Sequence, residues 1–110
     1  MPLFERARIE VYVPDLPHAD YRNLVATLKR EFTYTFGGCT MIGGLDGNYL
    51  SGTGLHIQDH VNLIYTDAHH AFDANFELMS TYADKLRDAT FSVLMEDAIL
   101  VAVSKIFHAD

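Results

Sequence analysis

A change of period constrains this chain more than any single residue. From Ala7 to Val13 the sequence alternates: Ala7, Ile9, Val11 and Val13 fall on one side and Arg8, Glu10 and Tyr12 on the other, the repeat of a half-buried strand. Shortly afterwards the spacing becomes three and four. Tyr21, Leu24, Val25, Leu28 and Phe32 form one apolar stripe, while Arg22, Asn23, Lys29 and Arg30 turn away, the repeat of an amphipathic helix. A strand and a helix each with one apolar side need a cover, and packing them together supplies it. Pro14 and Pro17 close the strand, and Asp15 between them is placed to accept a hydrogen bond from the first amides of the helix. Helical character is expected to fade over Thr33 to Phe36, where β-branched and aromatic residues crowd, with Gly37-Gly38 as the stop.

Cys39 to Ile42 and Asn48 to Ser51 are short strand candidates around Gly43-Gly44-Leu45-Asp46-Gly47, and an Asp-Gly pair between such runs predicts a hairpin turn. Ser51-Gly52-Thr53-Gly54 predicts a further turn, so the stretch reads as a twisted, bulged edge. From Val61 the strand pattern returns, with Val61, Leu63 and Tyr65 on one face and His60, Asn62, Ile64 and Thr66 on the other. Asp67 to Asp73 reads as a polar loop, either aspartate serving to cap the next helix. That helix carries Phe76, Met79, Tyr82, Ala83, Leu86, Thr90 and Val93 at helical spacing. Ala98 to Ile106 is apolar on both faces, as a central strand is. Tyr34, Phe36 and Phe72 are expected at the core edge as staples.

Strand, helix, strand or hairpin, strand, helix, strand is the order of a split βαβ arrangement, with both helices on one face of an antiparallel sheet. The expected fold is α+β, a βαββαβ sandwich with a Gly-rich hairpin extension, over residues 1–110 as one domain. On the alternating strand Ala7–Val13, the two amphipathic helices and the strands near Val61 and Ile99, the chain resembles the ferredoxin-like superfamily and, more loosely, its dimeric α/β-barrel branch. That resemblance covers nearly the whole chain without a specific motif. It implies a homodimer and, since members include cofactor-free monooxygenases, isomerases and stress-response proteins, leaves the activity open.

Composition excludes more than it assigns. Lys and Arg total 8 against 15 Asp and Glu, a formal net charge of −7 with no basic stripe, which disfavours nucleic-acid binding. One cysteine, Cys39, allows no internal disulfide and suits a reducing compartment. Met-Pro-Leu-Phe-Glu-Arg lacks the pattern of a signal peptide, and the most apolar run, Ala98 to Val103, is too short to span a membrane. The expectation is a cytoplasmic chain with no membrane or nucleic-acid partner.

A sheet covered by helices on one side exposes its other face, and the alternation assigns Arg8, Glu10, Tyr12, His60, Asn62, Ile64 and Thr66 to it, with Tyr49 beside them. His60 and Glu10 are the natural acid-base pair there, because imidazole titrates near neutrality and a carboxylate fixes its tautomer. Tyr12, Asn62, Tyr49 and Arg8 are the candidate ligand-binding residues. The more ordinary reading of the same side chains is as solvated strand positions paired across the sheet. Two readings follow: a noncatalytic binding or interaction domain that works as a homodimer, and a cofactor-free enzyme acting on a small organic molecule. No cofactor is expected. Nor is a metal: His56 and His60 on extended chain lie about 13 Å apart, and Asp67, His69, His70 and Asp73 match no recognised ligand spacing. The glycines match neither phosphate-binding pattern.

Overall fold

The alternating segment becomes β1 (Phe4–Pro14), and the following stripe becomes α1 (Ala19–Phe36). Then come β2 (Thr40–Leu50), β3 (His56–Ala68), α2 (Phe76–Leu94) and β4 (Leu100–His108). The computed structural model describes residues 4–15, 19–50, 56–69, 71–94 and 100–108. Among them the strands form one antiparallel sheet in the order β2-β3-β1-β4. Helix α1 lies over β1 and β3, and α2 over β4. This is the βαββαβ sandwich that the order of elements predicts and the ferredoxin-like fold that the resemblance implies.

The core is where the two periods meet. Ala7, Ile9, Val11 and Val13 are fully buried beneath Leu24, Leu28 and Phe32 of α1 and Met79 and Leu86 of α2. At about 25 cal/mol per Å² of apolar area, each large buried side chain contributes roughly 1.5–3 kcal/mol. The stripe extends through Phe36, whose ring stands edge-on to Tyr82 at 5.4 Å.

That contact explains the first departure from expectation: α1 runs unbroken to Phe36. Thr33 bonds back to the Lys29 carbonyl at 2.7 Å, which accommodates a β-branched residue in the last turn. Gly37 then ends the helix with φ of 91°, its amide donating to the Thr33 carbonyl at 3.0 Å. Tyr34, within the helix rather than after it, is 84% exposed and staples nothing.

The second departure concerns the turn at Asp46-Gly47. Strand β2 runs straight through it, and the irregularity lies at Gly43-Gly44, where the register steps from Ile42↔Leu63 to Leu45↔Val61. Two residues of β2 therefore oppose the single Asn62 of β3, a bulge made possible by Gly44 at φ 72°. The Gly-rich hairpin extension is β2 and β3 themselves; the Ser51–Gly54 turn lies outside the described residues.

Three further expectations change. Asp67 belongs to β3 rather than a loop, and Asn75 immediately precedes α2, its side-chain amide donating to the Ala71 carbonyl at 2.9 Å. Neither Asp67 nor Asp73 caps that helix. Asp15 stays with the sheet, its amide donating to the His60 carbonyl at 2.8 Å, four residues short of α1. Strand β4 lies at the sheet edge, not its centre, and Leu100 and Phe107 are more than half exposed.

Candidate functional site

The register assigns the residues of the helix-free face. Directly opposite residues of paired strands share a side, so Arg8, Glu10 and Tyr12 stand with Asp67, Tyr65 and Leu63 of β3 and with Ser104, Ala102 and Leu100 of β4. Thr40 and Ile42 of β2 join through Tyr65 and Leu63. The alternation of β3 is thus opposite to the one expected. Asn62, Ile64, Thr66 and Ala68 are buried towards the helices, and Val61, Leu63 and Tyr65 point away from them.

The polar groups of this face bond to one another. Arg8 Nε donates to Asp67 Oδ1 at 2.7 Å and Nη2 to Oδ2 at 3.1 Å, a two-pronged ion pair, with the guanidinium 4.4 Å from the centre of the Tyr65 ring. Hydrogen bonding to Asp67 strengthens the guanidinium's hold on its proton, desolvation opposes this, and the charge of Asp67 adds to it. Tyr12 donates its hydroxyl to Glu10 at 2.7 Å, and Ser104 donates to the same carboxylate at 3.4 Å. That Tyr12–Glu10 bond, then partial burial, then the charge of Glu10 raise the Tyr12 hydroxyl above the ordinary phenol value.

The acid-base pair expected from the alternation does not form within the chain. Glu10 faces away from the helices, whereas His60 has the opposite parity on β3 and lies 3.3 Å from Asp46, its cross-strand neighbour on β2. Both side chains of that second pair are more than two-thirds exposed. Within one chain Glu10 and His60 therefore stand on opposite sides of the sheet. Arg8 and Tyr12 are on the expected face, tied up in contacts with Asp67 and Glu10. Asn62 is on the other face, and the side chain of Tyr49, on a strand position paired with Ile57, lies outside the described residues.

Sequence reasoning missed Asp67 and Tyr65, which complete the Arg8 cluster, and Ser104. Reading the β1–β3 register outward from Pro14↔Val61 is the signal that pairs Arg8 with Asp67. Of the loop acids weighed for metal, Asp67 bonds Arg8, and Asp73 lies 2.9 Å from Lys105, which is also 3.8 Å from Glu5. His70 lies outside the described residues. Cys39 is half-buried with its thiol 3.8 Å from the Lys29 carbonyl.

Among the hollows lined by described residues, two bear on the candidate side chains. One, about 530 Å³, lies on the open face around Arg6, Arg8, His69 and Ile106. The other, about 260 Å³, lies on the helix side between α1 and the β2 bulge, with Asn62 in its lining.

No protein-family model matches this chain, and no curated protein matches it. Among solved structures it is similar to CutA1 from Oryza sativa, with a TM-score of 0.58 at 14% identity, over 98% of this chain and 85% of that one. It is also similar to the divalent cation tolerance protein CutA1 from Thermus thermophilus, with a TM-score of 0.60 at 14% identity, over 97% of this chain and 88% of that one. At this identity the likeness is one of fold: the chain shares its ferredoxin-like architecture with the two CutA1 proteins.

Proposed function

We propose that this chain is a small interaction domain that assembles with further copies of itself, its helix-free sheet face forming the contact. One observation carries the reading. Strand β3 turns its more apolar side, Val61, Leu63 and Tyr65, away from the helices and seats Asn62 and Thr66 beneath them. A strand facing water on one side places its polar residues there. The reverse arrangement suits a face that is covered. Ile42, 42% exposed, and Leu100, 57% exposed, extend the apolar area on either side. The polar groups between them bond within the face, so covering it strands few hydrogen bonds.

A second copy is the natural cover, because an exposed apolar patch can meet the same patch of a copy across a two-fold axis without any other partner. Sedimentation velocity tests this. The native chain should sediment as a multiple of its 12.4 kDa mass, and Leu63→Glu should shift it to the single chain while leaving the far-UV circular dichroism unchanged. A native chain that stays monomeric throughout the concentration series defeats the proposal.

The name of the Thermus neighbour refers to divalent cations. Among the described residues of this chain no three His, Cys, Asp or Glu side chains gather, and Asp46 with His60 supplies two donors.

A further inference from the structure

Three buried polar side chains are found among the described residues: Asn62, Thr66 and Thr90. Two of them are satisfied. Thr66 donates to the Gly38 carbonyl at 2.6 Å, and Thr90 to the Arg87 carbonyl at 2.9 Å. Asn62, 8% exposed, has no hydrogen-bond partner for its side-chain amide among the described residues. A buried amide left unpaired destabilises a fold, and native chains rarely keep one without a use.

What Asn62 meets instead is the 260 Å³ hollow. The β2 bulge creates the setting. Gly43 and Gly44 oppose Asn62, so no side chain of β2 covers it on that flank, while Val13 of β1 lies opposite on the other; Gly43 is so close that an added Cβ would lie 3.3 Å from Asn62 Oδ1. Pro14, Tyr21, Val25 and Met41 supply apolar and aromatic walls, and Asp15 and Arg22, of opposite charge, complete the lining. Alternation along β3 suggested Asn62 as a ligand-binding residue of the open face; the cavity lies on the other side of the sheet.

We infer that this cavity binds a small, neutral, planar molecule through an amide or lactam edge held by Asn62. The side chain of asparagine offers a donor and an acceptor in one plane, and the complement of that pair is another amide. Opposite charges in the lining add no net charge, which favours a neutral ligand over an ion. At about 30 Å³ per water, the hollow holds the equivalent of about nine waters, room for a single ring with its substituent. Tyr21 and Met41 provide the surfaces on which such a ring rests. The site goes beyond the self-association reading and lies on the opposite side of the sheet, so either can fail without the other.

The test is a ¹H–¹⁵N titration of the native protein with 2-pyridone and with benzamide, using toluene and benzoate as controls. Both amides should shift the Asn62 side-chain resonances together with those of Tyr21 and Val25, saturably and in the millimolar range expected of such small ligands. The controls should leave the Asn62 amide unmoved. Asn62→Leu, which keeps the forked shape and removes the polar atoms, should weaken amide binding at least about tenfold and unfold at an equal or higher denaturant midpoint. Gly43→Ala, placed on the exposed bulge, should weaken binding by displacing Asn62 and serves if Asn62→Leu does not fold. No saturable shift with either amide overturns the inference, as does equal binding by the variants. A folded Asn62→Leu with a markedly lower midpoint overturns it too, since the amide would then be satisfied within the fold.

Discussion

The ion pair between Arg8 and Asp67 can be measured, and its strength reports on what lies over it. In the single chain the side chains of Arg8 and Asp67 are 30% and 39% exposed. Exposed pairs contribute about 0–1 kcal/mol, and two-pronged geometry at 2.7 and 3.1 Å places this one near the top of that range. The Tyr65 ring at 4.4 Å adds about 0.5–1 kcal/mol to whatever Arg8 contributes. Arg8→Met, which keeps the stem and removes the charge, should therefore lower stability by about 1.5–2 kcal/mol, and Asp67→Asn by about 1 kcal/mol. The double variant should resemble Arg8→Met, leaving a coupling energy of about 1 kcal/mol.

Urea unfolding of the four proteins in a double-mutant cycle gives that coupling directly. It should be measured at low and at high protein concentration. If further copies cover the face, the pair loses its water, and the penalty for leaving one charge alone rises towards the roughly 3–5 kcal/mol seen when buried pairs are broken. Coupling that grows with concentration is the expected result. A coupling below about 0.3 kcal/mol at both concentrations refutes the reasoning, because the bidentate contact would then contribute no more than a solvated pair.

Two further outcomes follow from the same geometry. Tyr12 and Tyr82 are both held above the ordinary phenol value, Tyr12 first by its bond to Glu10 and Tyr82 first by burial, with its bond to Glu31 at 3.1 Å next. A raised folded value means that the neutral phenol is favoured by the fold. The associated stability is complete below about pH 10, the unfolded value, and is lost as pH rises through the folded ones. The phenolate absorbance of Tyr12 and Tyr82 should therefore lag and appear together with unfolding, and Tyr82→Phe should abolish one lagging step. Separately, a Cβ at Gly37 meets nothing within 4 Å, so the backbone at φ 91° is the whole cost of Gly37→Ala. A loss of about 1 kcal/mol in chemical denaturation is expected, and an unchanged midpoint would show that the helix does not end in that conformation.

Where one period dominates, the sequence was legible. Ile9, Val11 and Val13 alternate with charged or hydroxylated neighbours, and Leu24, Leu28 and Phe32 have mainly polar residues behind them, so each element has one buried side. Strand β3 lacks that contrast. Its two sides, Val61-Leu63-Tyr65 and Asn62-Ile64-Thr66, are both part apolar, and hydrophobicity alone favours the wrong one. What decides is non-local: the register with β1 brings Asp67 to Arg8, and Thr66 reaches the Gly38 carbonyl. A single step of parity carried Asn62, Ile64, Thr66 and His60 to the wrong face and with them the acid-base pair. The Asp46-Gly47 turn failed for a related reason. A two-residue turn preference is small beside the ladder that β2 forms along β3, and the same ladder absorbs its irregularity a few residues earlier, at Gly43-Gly44.

The bulge and Asn62 are best understood together. A Gly pair within a strand loosens it, a bulge forgoes regular ladder pairing, and a buried amide without a partner destabilises by about 1–3 kcal/mol. These features coincide at one point of the sheet, with a cavity beside them, while the other two buried polar residues among those described are bonded. Selection for stability alone would have removed the easiest of them, since an apolar residue at position 62 relieves the amide at no other expense visible in its contacts. Their presence in one place is therefore better explained by a site than by three unrelated defects. Because the site opens on the helix side and the apolar sheet face on the other, binding and assembly draw on different residues of one sheet, and each can be removed by substitution without touching the other.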